Sequence, residues 1–195
     1  MKKNLFAFGI LLAGLSVNAQ TPRMSLYEEF TGETCPPCAQ TNPGLNALLA
    51  QPANFAKIAA IKWQVPIPSA PTKTWSLYQT YKADIDWRYR STAGGGYGYP
   101  SQNNSTSAIT SGVNSAPSGR IDGQHQWTFG ASSDHPANLN SNVISTAQSY
   151  TSAFSVTMTR DWNANSTAVT LTVNIQATAP FTAVGNLVFR TVMVE

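Results

Sequence analysis

The chain has 195 residues, 12 basic and 9 acidic, for a formal charge of +3, and only 11% of it is charged. Two of the basic residues, Lys2 and Lys3, open the chain, and setting them aside leaves 10 against 9. The remaining near-neutral chain has no basic patch of the kind that nucleic-acid binding requires, so that class of partner is excluded.

Residues 1–19 read as a secretory signal peptide: a basic start, an apolar run over 5–17, and a Val17-Asn18-Ala19 cleavage pattern. The run is short for a membrane span. The expectation is export, to the periplasm or to the outer membrane and cell surface. Cleavage after Ala19 leaves enough chain for one sizeable core.

Residues 24–30 (MSLYEEF) are apolar-rich and read as a strand, followed by a loop over 31–34. A helix is expected from Cys35 to about Gln51. Pro36 and Pro37 suit its first turn, Leu45, Leu48 and Leu49 recur at helical spacing, and Pro43 should kink it. A second strand is expected over 58–63. After a proline-rich break at 66–71, residues 74–89 read as an aromatic-rich helix. Trp75, Tyr78 and Tyr81 share helical spacing; core packing is the default for them, a ligand or peptide groove the alternative. Residues 91–116 form a long Gly-, Ser-, Asn- and Tyr-rich loop. Its Gly94 to Gly98 cluster lacks the spacing of a dinucleotide fingerprint.

A short strand is expected over 118–121, with a turn at Asp122-Gly123 and a hairpin partner over 124–129. Residues 134–152 read as a helix capped by Asp134, with Pro136 near its first turn. From 153 the pattern alternates: Phe154, Val156 and Met158, then Val169, Leu171, Val173 and Ile175, with a turn over 161–166 and a third strand over 187–194. These are the first strands of an antiparallel β-sandwich. Three strands do not close a sandwich, so the expectation is that further strands follow residue 195. The domain reading is thus 1–19 leader, 20–152 α/β domain with an insertion over about 66–116, and 153–195 truncated β segment.

Cys35 and Cys38 are the only cysteines. In a redox reading, Cys35 is a nucleophile whose thiolate is stabilised by the free N–H groups of a helix start, and Cys38 resolves the mixed disulfide. A permanent staple is the second reading, but so small a loop gains little stability from closure. A metal site is the third; zinc wants four ligands, and His125 and His135 are distant in sequence. No Gly-x-Ser-x-Gly pattern makes either histidine part of a hydrolase triad, so both read as structural or surface residues.

The segment SLYEEFTGETCPPC resembles the active-site strand, loop and helix start of thioredoxins. The order of strand, cysteine helix, strand, helix and then a proline before the next strand also matches that family. The resemblance implies that Pro117, in APSGRIDG, is the family's cis-proline, packing on the disulfide and shaping a substrate groove. It implies that Glu29, six residues before Cys35, is a buried acid that assists proton removal from Cys38. Strand alternation would turn only one of Glu28 and Glu29 inward. Thr34 stands where the family has an aromatic residue, and there is no room between Gln20 and Met24 for the family's first strand and helix. With the export signal, the insertion and the trailing β segment, EEFTG-x-x-C-x-x-C looks like the thioredoxin-like "twenty-eight-kilodalton outer membrane protein" family of Bacteroidetes. That likeness implies a cell-envelope thiol–disulfide oxidoreductase that acts on protein thiols or disulfides, alone or with a redox partner protein, and needs no cofactor. The rival expectation is a non-catalytic binding or structural envelope protein on the same scaffold.

Overall fold

Strand β1, Ser25–Thr31, is buried along almost its whole length on both faces. A strand covered on both sides must lie inside a sheet with layers above and below it, and the larger part of the protein is built that way. The fold is described from a computed structural model, which describes residues 23–90, 112–182, 189, 191 and 192. The leader, most of the long loop after Arg90 and most of the expected third β strand lie outside the described residues. The chain divides into two compact units, the larger containing Pro22–Ser152 and the smaller Ala153–Phe181.

In the larger unit β1 pairs in parallel with β2, Ile58–Gln64, and antiparallel with β3, Ser118–Ile121. Two-residue β4, Gln124–His125, adds to β3, giving a mixed sheet in the order β2-β1-β3-β4. Among the described residues the α-helices are α1 (Pro36–Leu49), α2 (Pro52–Phe55), α3 (Leu77–Thr80), α4 (Lys82–Tyr89) and α5 (Ser141–Ser149). This is a mixed α/β architecture. One core joins Tyr27, Ile58 and Ile121 of the sheet to Leu45 of α1 and to Val143, Ile144 and Ala147 of α5. The other joins Phe30 and Val65 to Tyr78 of α3, Ile85 of α4 and Val113. Alternation along β1 therefore sends Tyr27 and Phe30 to opposite layers.

Several elements differ from the sequence reading for local reasons. The expected helix over 74–89 is two helices. Ser76 caps the first by accepting the Gln79 N–H at 3.1 Å, and Tyr81, outside helical dihedrals, separates them. Trp75 lies before α3 and is exposed, whereas Tyr78 is buried, so the aromatic register does not form one core stripe. The expected helix over 134–152 starts only at Ser141. Asn140 caps it by accepting from the Asn142 and Val143 N–H groups, while Asp134 is engaged elsewhere and Pro136 opens a short 3-10 turn. Residues 124–129 pair only over Gln124–His125 before turning into a second 3-10 segment that ends at Gly130, φ +96°. The turn at Asp122 and Gly123 has positive φ at both positions, as a tight hairpin requires.

The smaller unit is a two-stranded antiparallel hairpin, β5 (Phe154–Trp162) with β6 (Val169–Ala177). Asn163 closes its turn by accepting from the Thr167 and Ala168 N–H groups. The register places Val156 beside Ile175, Met158 beside Val173 and Trp162 beside Val169. One face is thus almost wholly apolar, and the other carries Ser155, Thr157, Thr159, Thr170, Thr172, Asn174 and Gln176. Among the described residues, no helix is long and apolar enough to cross a membrane.

Candidate functional site

The two cysteines meet at the start of α1. Cys35 is the N-cap residue with extended dihedrals, and Pro36 and Pro37 occupy the first two helical positions. Proline has no N–H, so the first free amide donors of the helix belong to Cys38 and Ala39. Both point back at Cys35: the Cys38 N–H lies 3.2 Å from Cys35 Sγ and 3.1 Å from its carbonyl, and the Ala39 N–H 3.2 Å from the same carbonyl. The sulfur at position 35 thus sits where the helix dipole and a real donor favour negative charge. The cysteines form a disulfide with Cα atoms 5.3 Å apart. Cys35 is 4% exposed and Cys38 1%.

Pro117 opens β3 beside this turn. The Ala116–Pro117 bond is cis, the isomer expected of it, and Pro117 is buried. The Ala116 carbonyl lies 3.6 Å from Cys35 Sγ. Ser118, next along, pairs with Phe30 of β1, so the strand that leads to the cysteines also positions the proline.

The loop before Cys35 is tied to the insertion. Thr34 Oγ1 donates to the Ser69 carbonyl at 2.7 Å, and Glu33 Oε1 accepts the Tyr78 N–H at 3.0 Å. Gly32 packs so close to the Ile67 carbonyl and to Cys35 Cβ that a side chain there would collide with backbone. Thr34 is thus an anchor for the segment after β2.

Glu28 and Glu29 are both fully buried, which corrects the expectation that only one turns inward. The reason is the second layer: the insertion's helices cover the face of the sheet that alternation alone assigns to solvent. Glu29 faces the α1 side. Lys62, its Cα partner in the parallel register, places Nζ 2.6 Å from Glu29 Oε2. Burial raises the Glu29 carboxyl above its ordinary value, with the Lys62 hydrogen bond and charge pulling the other way. Asn42 of α1 reaches the other oxygen. With its amide turned so that the nitrogen faces the acid, it donates to Glu29 Oε1 at 2.5 Å and to the Cys38 carbonyl at 3.2 Å and accepts from Thr31 Oγ1 at 3.2 Å; in the opposite orientation the nitrogen donates to Thr31 Oγ1 instead. Motif reading misses Asn42 and Lys62. The available signals are Asn42's position one turn after Cys38 and the parallel pairing of Glu29 with Lys62.

The histidines lie elsewhere. His125 Nδ1 contacts Asp134 Oδ2, which also meets Arg120 at 2.7 Å, and its ring packs on Trp127. Burial lowers the His125 pKa, the Asp134 contact opposing it. His135 Nδ1 accepts the Ala137 N–H at the start of a 3-10 turn. Among the described residues, no three His, Cys, Asp or Glu side chains converge as a metal site would require. A groove of about 1840 Å³ runs along β2, the outer strand of the sheet among the described residues, and includes Leu49, Phe55, Trp63, Leu77, Tyr81 and Val192. It contains neither cysteine nor Pro117, and Lys62 is what it shares with the cysteine site.

Comparison with protein-family models, with curated proteins and with solved structures finds no match to this chain.

Proposed function

We propose that the protein is an exported thiol–disulfide oxidoreductase on a thioredoxin-like scaffold, with Cys35 as nucleophile and Cys38 as resolving thiol. The observation that carries the reading is the disulfide closing the first turn of α1, with the Cys38 amide aimed at Cys35 Sγ. The cis Pro117 beside it and the buried Glu29 beneath it support the same reading. Export is supported by the leader pattern of residues 1–19.

The chemistry follows from the placement. In the reduced protein the Cys35 thiolate attacks one sulfur of a substrate disulfide. A Cys35–substrate bond forms and the other substrate sulfur leaves as a thiolate that takes up a proton. Glu29, as carboxylate, accepts the Cys38 proton. The Cys38 thiolate then attacks Cys35 Sγ, the Cys35–substrate bond breaks, and the second substrate thiol is released. The substrate disulfide is reduced by two electrons and the cysteine pair is oxidised. The reverse sequence oxidises a substrate dithiol.

A second reading has its own support. The apolar face of β5 and β6 is exposed, with Val156, Met158 and Trp162 each more than half accessible. Such a face suits a binding or structural envelope protein in which the cysteine unit is a scaffold. The two readings part on one experiment: titrate alkylation of Cys35 against pH in the reduced protein, and trap mixed disulfides with Cys38→Ser. The oxidoreductase reading expects a Cys35 pKa well below the free-thiol value of about 8.5, and covalently trapped partners. A value near 8.5 with nothing trapped overturns it in favour of the rival.

A further inference from the structure

A buried carboxylate has no water to satisfy it, so its charge depends on the donors that the fold aims at it. Glu29 has no exposed surface. From β2 it receives Lys62, whose side chain is 29% exposed and long enough to move away. From α1 it receives Asn42, a short side chain on a helix, held by Thr31 Oγ1 on its other end. On β1 itself, Thr31 spends its hydroxyl on Asn42, and Tyr27, whose pKa is raised first by burial, lies near enough for the Glu29 charge to add to that rise, with Asp134 and Arg120 acting on it from beyond.

The amide orientation of Asn42 follows from its surroundings. Turned the other way, and with Glu29 ionised, its oxygen would face Glu29 Oε1 and the Cys38 carbonyl, three acceptors together. The donating orientation satisfies all of its neighbours. Asparagine is also a weaker helix former than alanine or leucine, and Asn42 sits inside α1 rather than at a cap. Helix formation therefore does not explain its choice.

We propose that Asn42 is a positioning residue of the cysteine site, bridging the Glu29 carboxylate to the Cys38 turn and stabilising its ionised form. The proposal rests on the reading of Glu29 as acceptor of the Cys38 proton, and Asn42 acts through Glu29 rather than on substrate. Of the two donors, Asn42 is the fixed one: it holds the carboxylate on the Cys38 side while Lys62 supplies the charge.

The test uses the full chain in its disulfide form, so that it requires no thiol activity. The Glu29 side-chain carboxyl is titrated by carbon NMR, assigned with Glu29→Gln, in the wild type, Asn42→Ala, Asn42→Asp and Asn42→Gln. Asn42→Ala is expected to raise the Glu29 midpoint by about one pH unit, a tenfold change in proton affinity, because a donor to the charged form is lost. Asn42→Asp is expected to raise it further by setting like charges together, and Asn42→Gln, which keeps the amide, to restore part of the wild-type value. In the reduced protein, the pH profile for resolution of a mixed disulfide should move in the same order. An unmoved Glu29 midpoint in Asn42→Ala and in Asn42→Asp overturns the proposal. A moved midpoint in a protein that traps no partner upholds Asn42 as the donor to Glu29 and removes the oxidoreductase reading instead.

Discussion

Glu28 and Glu29 are adjacent in β1 and buried on opposite faces of one sheet, each met by its own cation. Arg88 of α4 grips Glu28, its Nε 2.6 Å from Oε1 and its second nitrogen on Oε2, and the Trp63 indole N–H donates to Oε1 at 3.0 Å. Lys62 and Asn42 meet Glu29. The two acids have different work. Glu28 joins the sheet to the insertion, whereas Glu29 lies with the cysteine helix. A forked guanidinium suits the first, since it matches both carboxylate oxygens in a fixed geometry.

Arg88→Ala should therefore be among the most destabilising single changes in the larger unit. It strands a buried carboxylate with one remaining neutral donor, and the expected loss is about 3–5 kcal/mol. Urea unfolding followed by far-ultraviolet circular dichroism reads it. Glu28→Leu combined with Arg88→Met should recover most of the loss, because removing both charges removes the desolvation cost. A loss below about 1 kcal/mol for Arg88→Ala, the range of exposed ion pairs, would show that the contact is solvated.

Glu29→Gln should act on stability and on thiol chemistry in opposite directions. The folded-state pKa of Glu29 is raised. Its contribution to stability is thus complete below the unfolded carboxyl value of about 4.3, and it is lost as pH rises through the folded value. Glutamine does not ionise, so the variant should gain on the wild type as pH rises from the unfolded carboxyl value through the raised folded value, measured as a melting-temperature difference that widens with pH. Resolution of a mixed disulfide by Cys38 should slow by about 100-fold near neutral pH if Glu29 takes the proton. A melting-temperature difference that does not change with pH would contradict the raised pKa.

What sequence reading reaches is what local chemistry determines. Pro36 and Pro37 after a cysteine cap, the apolar run of β1 and the alternation of β5 and β6 depend on neighbours within a few residues, and they are legible. Residues 134–152 misread because two cap signals compete: Asn140 wins, and Asp134 serves the Gln126 N–H and the Arg120 guanidinium instead. The pairing of Glu28 with Arg88 spans sixty residues and depends on α4 folding back over the sheet. No periodicity encodes that. Asn42 and Lys62 are missed for the same reason: their significance lies in what faces them.

Replacing both cysteines by alanine should cost little stability. The bridge spans a separation of three residues, and loop-closure entropy for so small a ring amounts to about 2 kcal/mol. That is less than the loss expected for Arg88→Ala. Thermal unfolding of Cys35→Ala/Cys38→Ala, set beside the disulfide form of the wild type, measures it. A structural staple predicts that the double variant fails to fold or loses more than about 4 kcal/mol. A redox centre predicts a folded protein that no longer exchanges disulfides.

The hairpin of β5 and β6 allows a last prediction, which bears on the rival reading. Two strands alone are marginal in water, and a hairpin gains independent stability only when its apolar face is covered. Here Val156, Met158, Trp162, Leu171 and Ile175 all share one exposed face. The protein should bind a hydrophobic dye through that face and should self-associate as concentration rises. Val156→Thr combined with Met158→Thr keeps strand-compatible residues in β5 and removes two of its exposed apolar side chains. The double variant should lose about half of the dye signal and move the onset of association to higher concentration, in proportion to the apolar area removed. Alkylation of Cys35 should be unchanged, because the substitutions lie outside the unit that holds the cysteines. If the variant binds dye as the wild type does, the apolar face of the hairpin is already covered, and the binding reading loses its surface.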